Sequence, residues 1–224
     1  MRGLPLLLLV LLTAPVASAQ YDEDEEPPKL QGTSRVSVMG GWRYAPNFKF
    51  YDTYYFQVEN RSLARSRGSI GGPLLTATFA YSITEFMELG IDLFTTYERM
   101  KLTNKPGLNT VTYGAVVGLR FQKRLELGPQ GTIASVGVLA GPSYSGAYFD
   151  GGRAVETSGT GLGLAAGATV RLSPRWGVCF ELRQLVVGGE VEDIGKYNAG
   201  GTWLSVGMTY VLPWEPDHSI KGRL

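Results

Sequence analysis

The amino-acid sequence predicts an all-β protein, an eight-stranded antiparallel up-and-down transmembrane β-barrel. Three observations lead to this prediction. Eight segments alternate between apolar and small or polar residues, their connections alternate between long and short, and the chain opens with an export signal. After that signal, no segment of useful length has the period of a helix.

Residues 1–19 have the layout of a cleavable secretory signal peptide. Arg2 precedes an apolar run from Leu4 to Leu12, and small residues lead to Ala19. The alternative is a membrane-spanning helix, but this run of nine residues is much shorter than the roughly 20 that cross a bilayer. We therefore expect the mature chain to begin at Gln20, outside the cytoplasm.

The start of the mature chain, residues 20–32, is acidic and contains prolines, so we expect a disordered lead-in. Cys179 is the single cysteine, so an exported domain must here be stabilised by its own packing or by lipid rather than by a disulfide. The formal net charge is +1, and Arg2 leaves with the signal peptide. A nearly neutral chain does not favour nucleic acid as a partner.

The predicted barrel covers residues 33–212 and contains eight segments with a period of two. These are Ser34–Tyr44, Gly72–Ile83, Phe86–Arg99, Thr110–Lys123, Thr132–Tyr144, Thr160–Leu172, Trp176–Val187 and Thr202–Leu212. Such alternation is typical of strands with two different faces. In the seventh segment the alternation slips near Gln184–Leu185, which predicts a β-bulge.

The connections between the segments alternate in length. The long ones are Ala45–Gly71, Met100–Asn109, Ala147–Gly159 and Gly188–Gly201, and the short ones are Ser82–Glu85, Leu125–Gly131 and Ser173–Arg175. An outer-membrane barrel has short periplasmic turns, long extracellular loops and an even number of strands. A soluble Greek-key sandwich has no reason to sort its connections in this way.

The segment Phe86–Arg99 leaves open which of its faces meets water. The faces that oppose the apolar ones carry mostly Gly, Ala, Ser and Thr with a few charges, whereas a soluble strand exposes many charged residues. We therefore expect Leu89, Ile91 and Leu93 to contact lipid, and Glu88 to point inward. Phe94 fits this inner face poorly and is expected to fill space there.

An eight-stranded barrel is just wide enough for side chains to fill its interior. Because a buried unpaired charge is costly, we expect the inward charges to pair in a network that plugs the lumen. We favour this filling role over a transport path. The predicted network consists of Glu88, Asp92, Arg120, Arg171, Glu181 and Arg183.

The last segment contains Ser205, Gly207, Tyr210 and Leu212 at the spacing of the C-terminal targeting signal of outer-membrane barrels. Together with the export signal, the strand number and the loop order, this motif means that about Thr33–Leu212 resembles the small OmpA/OmpX-like outer-membrane β-barrel family. The resemblance implies a monomer in the cell outer membrane that contacts its lipids and the barrel-assembly machinery. It also implies that residues 213–224 form a periplasmic tail.

Small barrels that are enzymes, such as lipid A deacylases, palmitoyl transferases, surface proteases and phospholipases, generally rely on a histidine. The single histidine, His218, lies in the tail, so we expect no catalytic site and no histidine-based metal site. No cofactor is expected either. The glycines of Gly161–Ala166 match part of a dinucleotide-binding pattern, but they alternate through a strand and do not open a helix.

The first long connection combines aromatic residues with arginines. We consider two compatible hypotheses: it binds an exposed partner, with the arginines reaching lipopolysaccharide phosphates, or it extends the first hairpin above the membrane. The candidate contact residues are Phe50, Tyr51, Tyr54, Tyr55, Phe56, Arg61, Arg65 and Arg67.

Three functions are compatible with these patterns. The leading hypothesis is a structural or surface-interaction role, in adhesion or membrane integrity, with long extracellular loops and a plugged lumen. The second is a narrow OmpW-like channel for small or hydrophobic molecules. The third is a soluble exported lipocalin-like barrel, which requires an apolar interior and a polar exterior.

Overall fold

The computed structural model describes residues 29–45, 71–100, 106–128, 130–191 and 195–212. The predicted signal peptide, most of the acidic lead-in, the candidate contact residues of the first long connection and the predicted tail lie outside the described residues. Within the described part, no helix is long and apolar enough to cross a membrane.

The described residues form ten strands, and eight of them close into one antiparallel barrel in the order β1-β10-β7-β6-β5-β4-β3-β2. The strands are β1 Ser34–Tyr44, β2 Gly71–Ser82, β3 Met87–Met100, β4 Leu108–Leu125, β5 Thr132–Phe149, β6 Val155–Arg171, β7 Trp176–Val186, β8 Gly188–Val191, β9 Gly195–Asn198 and β10 Gly201–Leu212. The eight-stranded up-and-down barrel predicted from the sequence is thereby confirmed.

Strands β8 and β9 form a separate two-stranded sheet inside the last long connection. This hairpin is not predicted by the sequence pattern, because four residues in each strand are too few to display a period. β7 ends at Val186, and Val187, almost fully buried, leads the chain over the barrel opening into β8.

Four neighbouring strands, β3 to β6, rise above the others at the end that carries the long connections, called here the long-loop end. β6 pairs with β5 from Val155 onward, but with β7 only from Leu162 onward. The ladder between β4 and β5 is interrupted opposite Gly141 and Pro142. Pro142 has no N–H to donate, which explains the interruption.

Alternation along β3 answers the question of sidedness. Leu89, Ile91 and Leu93 are 45%, 50% and 56% exposed on the outer face, whereas Glu88 and Asp92 are 2% and 0% exposed inside. The other barrel strands likewise point large apolar side chains outward. An apolar exterior around a charged interior is the reverse of a lipocalin-like carrier, so that hypothesis is wrong.

The predicted bulge at Gln184–Leu185 is also wrong. Residue pairing along β7 continues through both positions on both sides, and the strand keeps its strict alternation. Leu185 points inward and is fully buried, while Gln184 points outward. The apparent slip in the pattern reflects a polar residue on the apolar face and not an extra residue in the strand.

Aromatic pairs lie on the outer surface near both ends of the barrel. Tyr113 and Tyr144 stack with ring centroids 5.6 Å apart towards the long-loop end, and Trp176 and Tyr210 meet at 4.8 Å towards the opposite, short-turn end. Tyr and Trp favour the two interfaces of a bilayer because their rings are apolar with a polar tip.

The short-turn end is partly closed by residues 29–33, of which residues 29–32 belong to the predicted lead-in. Glu85 accepts hydrogen bonds from the backbone N–H groups of Leu30 and Gln31, each at 3.0 Å. Gly32, with a φ of 80°, turns the chain so that its N–H bonds the carbonyl of Ser82 at 2.8 Å. Within the predicted lead-in, Leu30, Gln31 and Gly32 are therefore hydrogen-bonded to the barrel, and Leu30 is buried.

Candidate functional site

The interior of the barrel holds a group of ion-paired side chains, called here the lumen charge cluster. Its members are Arg35, Glu88, Asp92, Arg120, Glu181 and Arg183. They come from β1, β3, β4 and β7, so the cluster crosses the lumen and ties strands that are not sheet neighbours. Their formal charges, three positive and three negative, cancel.

At the short-turn side of the cluster, Arg35 holds Glu88 in a two-pronged contact. Its Nε and Nη2 donate to Glu88 Oε2 and Oε1 at 2.5 and 2.7 Å, and its Nη1 donates to the Ser37 hydroxyl at 2.9 Å. Arg120 approaches the same carboxylate, with its Nη1 3.8 Å from Oε1. Paired geometry of this kind matches the planar guanidinium of Arg35 to the carboxylate of Glu88.

Deeper in the lumen, one oxygen of Asp92 accepts from two arginines. Arg120 Nη2 donates to Asp92 Oδ2 at 2.6 Å, and Arg183 Nη2 donates to the same oxygen at 2.9 Å. Arg183 also donates to Glu181 Oε1, from Nη2 at 2.5 Å and from Nε at 2.9 Å. Glu181 Oε2 lies 3.8 Å from Arg120 Nη2, which links all four side chains.

Of the six residues predicted to form a lumen network, five lie in this cluster. The sixth, Arg171, lies at the short-turn end of β6, where its Nη2 donates to the carbonyl of Pro174 in the β6–β7 turn. Arg35 takes the expected place of a third cation. It was missed although its position on the inward phase of β1 was evident from the alternation.

A second buried pair, also missed, joins Arg43 of β1 to Glu98 of β3 near the long-loop end. Arg43 Nη1 additionally donates to the carbonyls of Ala199 and Gly200 at 2.8 and 3.2 Å. These bonds secure the chain between β9 and β10 over the lumen. Both Arg43 and Glu98 lie at inward-facing positions of their strands, so the alternation of the sequence could have identified them.

Around this second pair the lumen holds apolar side chains together with buried hydroxyls, such as those of Thr96, Thr110 and Thr112. Phe94 and Trp203 lie with ring centroids 5.0 Å apart, and both are buried. The buried apolar set, called here the lumen apolar cluster, comprises Leu74, Phe94, Leu108, Val116, Leu139, Ala147, Ala165, Leu185, Val187, Ala199 and Trp203. Phe94, which fitted the predicted polar inner face poorly, is thus a central member of a packed core.

The two clusters meet at Trp203. The guanidinium carbon of Arg183 lies 5.4 Å from the Trp203 ring centroid, within the range of a cation–π contact. On the other side of the charge cluster, a cavity of about 190 Å³ lies at the short-turn end and reaches as far as Arg35 and Glu88.

The four residues of the predicted assembly signal all lie on β10. Ser205 points into the lumen, where its hydroxyl donates to the Glu181 carbonyl at 3.5 Å, and Tyr210 contacts Trp176 on the outer face. Leu212 is exposed at the end of the strand. Gly207 allows β10 to approach β1, since a Cβ there would collide with the Val38 carbonyl. The contacts of Ser205, Gly207 and Tyr210 therefore also contribute to the packing of the barrel itself.

The fold resembles solved outer-membrane barrels. Neisserial surface protein A (NspA) is 16% identical, with 80% of this chain and 97% of that chain covered at a TM-score of 0.50. OprG from Pseudomonas aeruginosa is 10% identical, with 84% of this chain and 99% of that chain covered at a TM-score of 0.51. No curated protein sequence matches this chain.

A family model, that of the outer membrane protein beta-barrel domain, matches residues 4–210. This match covers nearly the whole chain and agrees with the closed eight-stranded barrel and its apolar outer surface. The protein therefore belongs to the outer membrane protein beta-barrel domain family and is a protein of the outer membrane.

Proposed function

We propose that this outer-membrane barrel has a structural or surface-interaction role, in adhesion or membrane integrity, and neither conducts solutes nor catalyses a reaction. In this proposal the protein is a monomer with its long-loop end outside the cell and its short-turn end in the periplasm. The observation that carries it is the filled interior, with the charge cluster stacked on the apolar cluster along the axis of the barrel.

Solute passage requires a continuous path lined by groups that water can reach. Val116, Leu185 and Trp203 in the apolar cluster are at most 1% exposed, and Asp92 and Arg183 in the charge cluster are equally buried. Neutral pairing supports the same function, because a plug made of compensated charges attracts neither cations nor anions. The cavity at the short-turn end supports no through-path, since it ends at the Arg35–Glu88 pair.

The elevated strands β3 to β6 support a role at the cell surface. Above the barrel, Asp150 accepts from Arg99 Nη2 at 2.5 Å, from Asn109 Nδ2 at 2.8 Å and from the Gly107 N–H at 2.9 Å. Tyr97 donates to Asn109 Oδ1 at 2.7 Å. This network ties the β3–β4 connection to the end of β5 and makes the region a stiff support for surface contacts.

The proposed contact element itself is the first long connection, with the aromatic and arginine residues named in the sequence analysis. Its arginines are suited to lipopolysaccharide phosphates or to acidic groups on a partner, through two-pronged hydrogen bonds. Insertion by the barrel-assembly machinery through Ser205, Gly207, Tyr210 and Leu212 belongs to the same proposal.

Two measurements test this function. Purified protein reconstituted in a planar bilayer is expected to give no steady conductance, and regular open events would overturn the plug in favour of a narrow channel. In cells, exchange of residues 50–67 for a Gly/Ser linker of equal length is expected to abolish surface binding. The control exchanges residues 213–224 and retains binding, and both variants must keep the heat-dependent gel shift of a folded barrel.

A further inference from the structure

We propose that a trough on the outer surface, between β5 and β7, binds one acyl chain of lipopolysaccharide, with Gln184 as its polar anchor. The inference rests on the proposed function for the orientation of the barrel, with the long-loop end outside. It concerns a face of the molecule that the plug and the surface loop do not use.

The trough exists because a small side chain stands between larger ones. Ala166 of β6 lies opposite Val136 of β5 and Leu182 of β7 in the strand pairing. The resulting space is about 430 Å³. Its lining is apolar except at one end, and consists of Phe121, Val136, Gly137, Val138, Leu164, Ala165, Ala166, Leu182 and Gln184.

Gln184 is the polar group at that end. Its Oε1 accepts a hydrogen bond from the Thr202 hydroxyl at 2.5 Å, across the β7–β10 pair. Within the described part of the chain, its amide nitrogen donates to no protein group. An amide N–H that faces hydrocarbon without a hydrogen-bond acceptor is costly. We therefore expect an oxygen of a bound molecule to accept this hydrogen bond.

The direction of the trough selects the leaflet. Gln184 lies two residues before β7 ends at Val186, near the long-loop end, whereas Phe121 lies near the short-turn end of β4. An outer-leaflet lipid presents its ester or amide carbonyl on the outer side and its methylenes below, which matches the amide above and the apolar trough below. An inner-leaflet lipid has the opposite polarity and brings no carbonyl to Gln184. The lipid of the outer leaflet that carries such chains is lipopolysaccharide.

The experiment compares lipid retention by matched variants purified from outer membranes in mild detergent. Gln184→Leu removes the anchor and Ala166→Phe fills the trough. Thr95→Leu and Ala77→Phe make corresponding changes on the outer faces of β3 and β2, away from the trough. Lipopolysaccharide and phospholipid per protein are measured by native mass spectrometry, and the heat-dependent gel shift verifies folding.

We expect Gln184→Leu to lower retained lipopolysaccharide about fivefold, the factor that corresponds to one lost hydrogen bond. Ala166→Phe is expected to lower it at least as much, and both controls should match the wild type. Equal retention in all variants overturns the proposal, as does phospholipid in place of lipopolysaccharide. A wild-type dimer that Ala166→Phe dissociates assigns the trough to a second copy and also overturns it.

A benzophenone side chain at Leu164 keeps the proposal testable if Ala166→Phe fails to fold. It should crosslink to lipopolysaccharide, and the same group at Ala77 should not. Equal labelling at the two positions would contradict a specific site. None of these results depends on conductance or on surface binding, so failure of this inference is distinguishable from failure of the proposed function.

Discussion

The two halves of the lumen are filled by different chemistry. Towards the short-turn end, six charged side chains neutralise one another, and towards the long-loop end, aromatic, aliphatic and hydroxyl side chains pack around the Arg43–Glu98 ion pair. Charged side chains require partners of opposite sign at the correct hydrogen-bond geometry. Apolar side chains exclude water by filling the available volume. The interior of one narrow barrel is thus filled by two arrangements of side chains with different weaknesses.

The weakness of the charged half is the loss of a shared partner. Replacing Asp92 with Ala leaves Arg120 and Arg183 buried with one fewer anion between them, and we expect a loss of about 3–5 kcal/mol in the free energy of unfolding. Urea unfolding in lipid vesicles, followed by tryptophan fluorescence, measures it. Ser205→Ala, at another buried lumen position, is the control. A loss below about 1 kcal/mol in the Asp92→Ala variant would contradict a stabilising role of the lumen charge cluster.

The weakness of the apolar half is a cavity. Replacing Trp203 with Ala removes the ring that packs on Phe94 and covers Arg183, and we expect a loss of about 3 kcal/mol. The cavity should also admit water above the charge cluster. Transient conductance in a planar bilayer is therefore expected from this variant, and Trp203→Phe should remain closed. A Trp203→Ala barrel as tight as the wild type would show that the charged half alone seals the lumen.

At the short-turn end, acidification provides a more selective perturbation. Burial alone raises the pKa of Glu85, but hydrogen bonds from the backbone of Gln31 and Leu30 and the charge of Arg124 outweigh it, so the pKa lies below its ordinary value. Because the folded-state pKa is lower than the unfolded one, the stabilisation is complete above the unfolded pKa and is lost as pH falls through the folded value. The acid range therefore tests this contact.

Amide exchange of Leu30 and Gln31 between about pH 7 and pH 3 measures the effect, after correction for intrinsic exchange rates. Protection should decline at the acid end in the wild type. In Glu85→Gln it should start lower and change little with pH. A decline of the same size in both proteins would assign the acid effect to another group.

The smallest effect is expected at the surface network above the long-loop half. Hydrogen bonds from Asn109 and Gly107 hold the pKa of Asp150 below its ordinary value, and the charge and hydrogen bond of Arg99 act in the same direction, whereas desolvation opposes them. Asp150→Asn should leave global unfolding unchanged and increase only the amide exchange of Gly107 and its neighbours. Glu156→Gln, on the exposed start of β6, is the control. A shifted global midpoint would show that the network supports the barrel itself.

Which face of the strands meets lipid was predicted from the small residues on the opposite faces, the order of the connections and the export signal. The strand alternation itself sends Glu88 and Asp92 to one face and Leu89 and Ile91 to the other, because its period is two. It also predicted the strand number, and the parity of the connections predicted which end carries the long loops. Which charges meet is decided by the register of strands that lie far apart in sequence. That is why Arg35 and not Arg171 completes the charge cluster, and why the Arg43–Glu98 pair was missed.

Gln184 shows most clearly the difference between what the local pattern predicts and what long-range strand pairing sets. The sequence shows that a polar residue interrupts the apolar face of the seventh segment, and a β-bulge was the explanation that the local pattern offered. The strand continues unbroken because its pairing with β6 and β10 keeps all three strands in register, and this long-range pairing is not visible in the sequence. Local pattern determines the direction of a side chain within its strand, whereas its neighbours across the barrel depend on long-range pairing.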